Sequence, residues 1–293
     1  MTRTALDQLV DILRLEKLDE NLYRGQSEVT DWGRVYGGQV IGQALSAAKQ
    51  QVPEDREIHS LHAYFLRPGD SDLPIIFEVE NTLDAGTISN RRVKAMQKGN
   101  PICFMTSSFQ VPLPGFDHAS TMPEVPAPET LETGLELFQD NIRRTPEDWL
   151  PKFSALKAID FRLVEKQNIL QPQRMAPRWH LWMRANGQLP NDQRIHQYAL
   201  AYASDFLFLG AATQPHEVSF FTEGLRMATI DHSLWFHRPF DFNDWLLYAI
   251  DSPSASNGRG FVRGQIFNRA GQLVASTAQE GIMRFKATSS ENS

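Results

Sequence analysis

Two stretches of the sequence repeat each other: His59-Ser60-Leu61 followed by Arg67-Pro68, and His232-Ser233-Leu234 followed by Arg238-Pro239. A third match joins the polar turn at residues 97–100 to the turn at residues 268–271, each before an apolar strand pattern. All three matches occur in the same order at a nearly constant offset of about 172 residues. A repeat of this length indicates internal duplication, and two copies are too few for a solenoid.

The two halves also have the same order of predicted elements. Each half begins with a long helix pattern: apolar residues recur at helical spacing from Gly37 and end before Pro53, and a second set runs from Ile195 to Phe206. Strand patterns follow each helix, at residues 58–66, 75–79, 88–95 and 102–111, and again at 226–235, 245–250, 260–268 and 272–284. A helix followed by several strands predicts an α+β fold in which the helix lies on an antiparallel sheet.

A proline-rich stretch separates the halves, since six of residues 112–128 are proline or glycine and little periodicity remains. We therefore predict an N-terminal domain at residues 1–115, an interdomain linker at 116–154 and a C-terminal domain at 155–288. Each copy would leave a sheet edge unpaired, so the copies can dock edge to edge, extend one sheet and place both helices on the same side. The cleft between them is then the expected ligand site.

The composition excludes several classes of protein. A charged share of 22% and a hydrophobic share of 41% are those of an ordinary globular protein. The net charge of -6 disfavours nucleic acid as a partner, and one cysteine allows no internal disulfide. The N-terminus does not resemble a signal peptide, and no apolar run predicts stable membrane insertion. We expect a cytoplasmic protein.

Four motifs carry a resemblance to a known family. They are Gly37-Gly38-Gln39-Val40-Ile41-Gly42-Gln43-Ala44, residues 59–70 from His59 to Asp70, residues 230–239 from Ile230 to Pro239, and Ala275-Ser276-Thr277-Ala278-Gln279-Glu280-Gly281. Together they resemble acyl-CoA thioesterase II, a double hot-dog enzyme, over nearly the whole chain from Leu13 to Arg284. The resemblance implies hydrolysis of medium- to long-chain acyl-CoA to fatty acid and CoA, without a metal or an organic cofactor.

The resemblance also implies the catalytic residues, which fall in the C-terminal domain. Family enzymes arrange an aspartate, a serine or threonine, and a glutamine around the attacking water; these match Asp205, Thr229 and Gln279. Such a set suits the reaction, because an activated thioester needs a positioned water more than a protein nucleophile. A carboxylate can accept the proton of that water, while a hydroxyl and an amide can hold the water without competing as bases.

Strand alternation predicts how these side chains point. Thr229 is expected to share a strand face with Met227, Asp231 and Ser233, and Gln279 to share one with Thr277 and Ala275. Asp205, late in the second predicted helix, is expected to point into the cleft at the edge of that helix.

Three further residues are candidates for binding the substrate. Gly38, at a helix start, offers backbone N–H groups to an oxyanion or a phosphate. His59 lies in a family motif and can line the cleft, and Arg263 can meet the phosphates of CoA. His59 and His62 are three apart in a strand and should project to opposite faces, so no metal site is expected. Cys103, between apolar neighbours, is expected to be a buried structural thiol.

Two rival functions remain open on the same fold. One is a non-catalytic acyl-CoA binding protein, which would not need Asp205, Thr229 and Gln279 together. The other is a hydratase acting on an enoyl-CoA double bond, which needs an acid and a base over the acyl chain. A serine hydrolase has little support, because the sequence around Ser27 lacks the second glycine of a nucleophile elbow.

Homo-oligomerisation is the first testable prediction. A double hot-dog has outer sheet edges and a helix-free face to cover, and members of the family that the sequence resembles associate, so we expect a homodimer or homotetramer. Light scattering at micromolar concentration should give a multiple of the chain mass of 33.3 kDa. A single species at the chain mass would contradict the prediction.

Overall fold

The structure is a computed structural model that describes residues 3–28, 30, 33–134, 155–165, 168 and 171–286. Residues 135–154 of the predicted linker and 166, 167, 169, 170, 287 and 288 of the predicted C-terminal domain lie outside the described residues, as do residues 1, 2, 29, 31 and 32. Within the described ranges, no helix is both long enough and apolar enough to cross a membrane.

One antiparallel sheet dominates the molecule. Its thirteen strands among the described residues are β1 Glu16–Asp19, β2 Leu22–Gly25, β3 Glu57–Phe65, β4 Ile75–Ala85, β5 Ile88–Gln97, β6 Asn100–Gln110, β7 Ile159–Leu163, β8 Arg178–Ala185, β9 Leu225–Thr229, β10 Asp231–Phe236, β11 Leu246–Ser256, β12 Arg259–Asn268 and β13 Leu273–Phe285. The spatial order is β1-β2-β4-β5-β6-β3-β10-β13-β12-β11-β8-β7, with β9 paired to β13. Strands of the first half therefore occupy one side of the sheet and strands of the second half the other, which confirms the double hot-dog prediction.

The two halves meet where β3 pairs with β10. Leu61 lies directly opposite Leu234, so the third residues of the two repeated His-Ser-Leu tripeptides mark the centre of the junction. Both leucines are fully buried. The sequence repeat thus becomes an approximate two-fold relation between the halves, and the edge that each half leaves unpaired is completed by the other.

Four α-helices are described: α1 Ala5–Leu13, α2 Gly37–Lys49, the single turn α3 Ala155–Ala158 and α4 Gln193–Ala203. Two 3-10 segments are also described, Pro128–Thr130 and Phe208–His216. Helices α2 and α4 are the two long helices expected from the sequence. All residues of α2 from Gly38 to Ala48 are buried, which is why this helix is built of small and apolar residues rather than a single apolar stripe.

The proline-rich stretch after β6 covers the face of the sheet that lies opposite the long helices, in the second half of the chain. Met122, Val125 and Leu131 pack on a second cluster of buried side chains that includes Trp182 and Trp245. The indole Nε1 of Trp182 donates a hydrogen bond to the carbonyl oxygen of Pro126 (2.9 Å). The described part of this segment is therefore packed on the sheet, whereas the domain boundaries themselves stay a prediction.

The junction can be tested by removing one of its leucines. Leu234→Ala should lower the free energy of unfolding by about 2 to 5 kcal/mol, because it leaves a cavity where the halves meet. Chemical denaturation at fixed protein concentration measures the change. Leu113→Ala is the matched control, since Leu113 is 58% exposed. A Leu234→Ala variant as stable as the control would show that the junction does not contribute to the cooperative core.

Candidate active site

The long helices α2 and α4 lie antiparallel and unusually close. A Cβ atom at Gly38 would be 2.1 Å from the carbonyl oxygen of Tyr202, and one at Gly42 would be 3.1 Å from that of Tyr198. Only glycine permits this separation at Gly38. The contact brings the N-terminus of α2, from the first half, next to the C-terminus of α4, from the second half.

Asp205 lies at this meeting point, two residues beyond the end of α4, and is only partly exposed. Its carboxylate accepts a hydrogen bond from the backbone N–H of Gly38. A Cβ atom at Gly37 would be 2.6 Å from Asp205 Oδ2, so this glycine makes room for the carboxylate. The first turn of α2 also stabilises negative charge through its unpaired N–H groups.

Thr229 and Gln279 lie beside Asp205. Strand β9 ends at Thr229, which pairs with Gly281 of β13, and Gln279 is two residues earlier on the same face of β13. Gln279 Nε2 donates to Thr229 Oγ1 (3.0 Å), and the Thr229 hydroxyl donates to Asp205 Oδ1 (3.3 Å). The structure thus brings together the three residues matched from the resemblance.

The strand faces differ in part from expectation. Gln279 does share its face with Thr277 and Ala275. Thr229, however, faces the helices, whereas Asp231 and Ser233 face the opposite side, because the chain breaks from β9 to β10 at Ile230. The expected alternation from Thr229 to Ser233 is therefore wrong.

His232 is a member of the site that sequence reasoning missed. Its ring is fully buried, with Nδ1 2.7 Å from Gln279 Oε1 and Nε2 2.9 Å from Ser204 Oγ. Ser204 is held in turn by Tyr248, whose hydroxyl donates to the Ser204 carbonyl oxygen (3.0 Å). The available signals were the second His-Ser-Leu tripeptide and the motif at residues 230–239, but neither distinguishes a histidine of the site from a histidine of the sheet.

Burial governs the acid–base properties of this group. Burial raises the pKa of Asp205 above its ordinary value, against the opposing effects of His232, Thr229, Gly38 and Gln279. Burial also lowers the pKa of His232. An aspartate with a raised pKa is a stronger base than a free one, so Asp205 is suited to accept a proton near neutral pH.

The other two candidate binding residues lie elsewhere. Arg263 is on the helix-free face of β12, where it forms an ion pair with Asp251 (2.7 Å). His59 is also on the helix-free face, with Nε2 2.8 Å from Ser108 Oγ. The structure brings neither of them to Asp205. Of the three candidates only Gly38 lies at the site, where its N–H bonds Asp205.

One expectation about the histidines is wrong. A bulge between Ile58 and Ser60 turns His59 to the same face as His62, whose Nδ1 lies 3.0 Å from Ser233 Oγ. The two histidines are therefore not kept apart by the sheet, contrary to the expectation on which the absence of a metal site was based. Even so, the described part of the chain holds no group of three or more His, Cys, Asp or Glu residues placed to bind a metal.

Cys103 is buried, as expected, and burial raises the pKa of its thiol to about 12. Such a thiol is a poor nucleophile near neutral pH.

The two halves differ where the second half carries Gln279. Leu61 pairs with Ser107 and Leu234 pairs with Thr277, so Ser107 and Thr277 correspond. Two residues further along the strands, Phe109 occupies the place equivalent to Gln279. The glutamine side of the site is therefore present in the second half and replaced by a buried phenylalanine in the first.

Comparison with known proteins gives matches along most of the chain. A model of the acyl-CoA thioesterase family matches residues 152–282, and a model of the acyl-CoA thioesterase N-terminal domain matches residues 27–110. The chain is 46% identical over 280 residues to acyl-CoA thioesterase 2 of Haemophilus influenzae, covering 96% of this chain and 98% of the relative. It is 40% identical over 293 residues to human acyl-coenzyme A thioesterase 8, covering 96% of this chain and 90% of the relative.

Comparison with solved structures gives the same family and fold. An acyl-CoA thioesterase II from Mycobacterium marinum superposes with a TM-score of 0.79 at 37% identity, covering 95% of this chain and 99% of the other. A hot-dog protein from Alicyclobacillus acidocaldarius, at 19% identity, supports the fold alone, with a TM-score of 0.76 and 98% and 100% of the two chains covered. With both halves matched and near-complete relatives at these identities, the chain belongs to the acyl-CoA thioesterase family and is a double hot-dog hydrolase of acyl-CoA thioesters.

Proposed function

We propose that the enzyme hydrolyses the thioester by direct attack of a water molecule activated by Asp205, Thr229 and Gln279. The observation that carries the proposal is the continuous hydrogen-bonded chain from Gln279 through Thr229 to Asp205. It ends at a partly exposed carboxylate with a raised pKa, beside the first turn of a helix.

Each residue has a distinct part in the reaction. Asp205 takes one proton from the water as its oxygen bonds to the carbonyl carbon. Thr229 and Gln279 hold the water in line for that attack, and the Gly38 N–H holds the carboxylate. The tetrahedral intermediate then breaks its carbon–sulfur bond, and the proton held by Asp205 passes to the sulfur, giving the fatty acid and free CoA.

We also propose a substrate class, a cellular compartment and an oligomeric state for the enzyme. Medium- to long-chain fatty acyl-CoA is proposed from the family resemblance of the motifs. A cytoplasmic location fits the single, buried cysteine, which suits a reducing compartment. Homodimer or homotetramer formation is proposed because the sheet ends in open edges.

Release of free CoA separates this activity from the two alternatives. Incubation with palmitoyl-CoA and a thiol reagent detects CoA from a hydrolase, but not from a binding protein or an enoyl-CoA hydratase. The same assay across acyl chain lengths gives the substrate preference. No release at any chain length would overturn the proposal.

Substitution of Asp205 tests the base. Asp205→Asn keeps the shape of the side chain but cannot accept the proton, so turnover should fall about 10²- to 10⁴-fold. Thr229→Ala and Gln279→Ala should each slow the reaction, and either one combined with Asp205→Asn should cost less than the product of the separate losses, because groups that hold one water act as a unit.

His59→Ala provides the control for that experiment, because His59 lies on the opposite face of the sheet. It should retain wild-type turnover. If Asp205→Asn stayed near wild type while His59→Ala lost activity, the base would have to be reassigned to His59.

Stability and pH give an independent prediction for Asp205. Burial raises the pKa of Asp205 above 3.8, so the folded state binds the proton more tightly than the unfolded state. The contribution of Asp205 to the free energy of unfolding therefore falls as the pH rises from 3.8 to the raised pKa. At neutral pH Asp205→Asn should therefore melt at a higher temperature than wild type, with a smaller difference below pH 3.8. The rate of the wild-type enzyme should fall as pH drops through the raised pKa.

Asp55→Asn, at an exposed position, is the matched control for melting and should leave the midpoint unchanged. A lower melting temperature for Asp205→Asn than for this control would contradict the view that burial dominates at Asp205.

A further inference from the structure

The buried ring of His232 is a titratable group at the site to which the proposed reaction assigns no part. It bridges two side chains, Gln279 at Nδ1 (2.7 Å) and Ser204 at Nε2 (2.9 Å). Phe208 packs edge-on against it with ring centroids 5.7 Å apart. A histidine held on both nitrogens has a defined tautomer, and that tautomer affects whatever it bonds.

The orientation of the Gln279 amide depends on its two neighbours. Its nitrogen lies toward Thr229 (3.0 Å) and on the side of Asp205, whose pKa it lowers, while its oxygen lies toward His232. The reverse orientation would turn the amide oxygen toward the carboxylate, with no proton between them. An ionised Asp205 therefore favours the observed orientation.

That orientation is compatible with only one position of the proton in the hydrogen bond between Gln279 and His232. An amide oxygen only accepts hydrogen bonds, so the proton between Gln279 Oε1 and His232 must be on Nδ1. In the neutral ring Nε2 then has a free lone pair, which the Ser204 hydroxyl can satisfy by donating. The carbonyl oxygen of Ala201, 3.0 Å from the same hydroxyl, is the alternative acceptor when the ring is doubly protonated.

The hydrogen bonds then all run in one direction, because each group donates to the next. The order is Ser204, His232, Gln279, Thr229 and finally Asp205. The opposite tautomer of His232 would present a lone pair to Gln279 and favour the reversed amide. The Thr229 hydroxyl would then donate to Gln279 rather than to Asp205. The direction of the whole chain therefore depends on where His232 carries its proton.

We propose that His232 is a positioning residue: as the neutral Nδ1–H tautomer it fixes the Gln279 amide, so that the donors of Gln279 and Thr229 face Asp205 and the attacking water. This inference rests on the proposed function, since it assigns His232 a role through Gln279. It does not require His232 to touch substrate or to exchange a proton during the reaction.

Two isosteric replacements separate this role from simple packing. In His232→Asn the amide nitrogen can take the place of Nδ1 and still donate to Gln279, whereas in His232→Gln it can reach only the place of Nε2. Both variants bury an amide in the same cavity. We expect His232→Asn to retain kcat within about fivefold of wild type and His232→Gln to lose about 10- to 100-fold, the usual effect of a lost buried donor. KM should change little in either variant.

The same pair in a Gln279→Ala background tests whether the effect passes through Gln279. There, His232→Gln should cost less than threefold beyond Gln279→Ala alone, because the group it positions is absent. Equal losses for His232→Asn and His232→Gln, together with a normal loss for Gln279→Ala, would overturn the role of His232 and leave the proposed reaction intact. Full activity of Gln279→Ala would overturn the proposed reaction and this inference together.

A measurement without turnover checks the tautomer directly. Nitrogen-15 NMR of protein labelled in its histidines should show a neutral ring with an unprotonated Nε2 and a protonated Nδ1, and this signal should disappear in His232→Asn. A His232 signal with the proton on Nε2 would overturn the inference even if the variants were slow.

Discussion

The active site depends on the close contact of two helices that come from different halves of the chain. At Gly38 the backbone of α2 approaches Tyr202 so closely that no side chain fits between them. This contact places the free N–H of Gly38 against Asp205. A larger residue would push the helices apart, and Asp205 would then lose a hydrogen bond and the favourable end of a helix at once. Catalytic geometry and helix packing are therefore one constraint here.

The sheet supplies the other half of the arrangement. Pairing of β3 with β10 fixes the distance between the helices, because both helices lie on the same face of one continuous sheet. Pairing of β9 and β10 with β13 then brings Thr229, His232 and Gln279 to that face. The site is thus assembled from one helix start in the first half and one helix end with three strands in the second.

Much of this could be predicted from the sequence, and each failure has a physical cause. The repeat and the apolar periodicities were sufficient for the fold class, the two long helices and the edge pairing, since these depend on patterns that extend over many residues. The strands β1, β2 and β7 were missed because each is too short to show a clear period. Strand β8 was missed because it buries neighbouring side chains on both faces and so shows no regular alternation. Helix α1 was missed although Leu6, Leu9, Val10 and Leu13 recur at helical spacing. The wrong faces assigned to His59 and Asp231 follow from a bulge and a strand break, which strand alternation does not register.

Prediction of the site had a different limit. Asp205, Thr229 and Gln279 were matched from family resemblance, because an isolated aspartate, threonine or glutamine has no distinctive spacing. His232 escaped notice because the same His-Ser-Leu tripeptide recurs in the first half, where His59 lies away from Asp205. Their backbone paths differ: the bulge turns His59 to the helix-free face, whereas His232 points inward to Gln279.

Phe109, which stands where the second half has Gln279, shows what fusion of the two copies allows. In a symmetric dimer of identical chains every substitution appears twice, so a change that suits one role must be tolerated in the other. Once the copies are joined, each position can change by itself. One half could become a specialised support that contributes a helix end and an apolar wall, while the other kept the polar groups. The two halves can therefore specialise as the subunits of a heterodimer do, although one polypeptide joins them and they cannot dissociate or exchange.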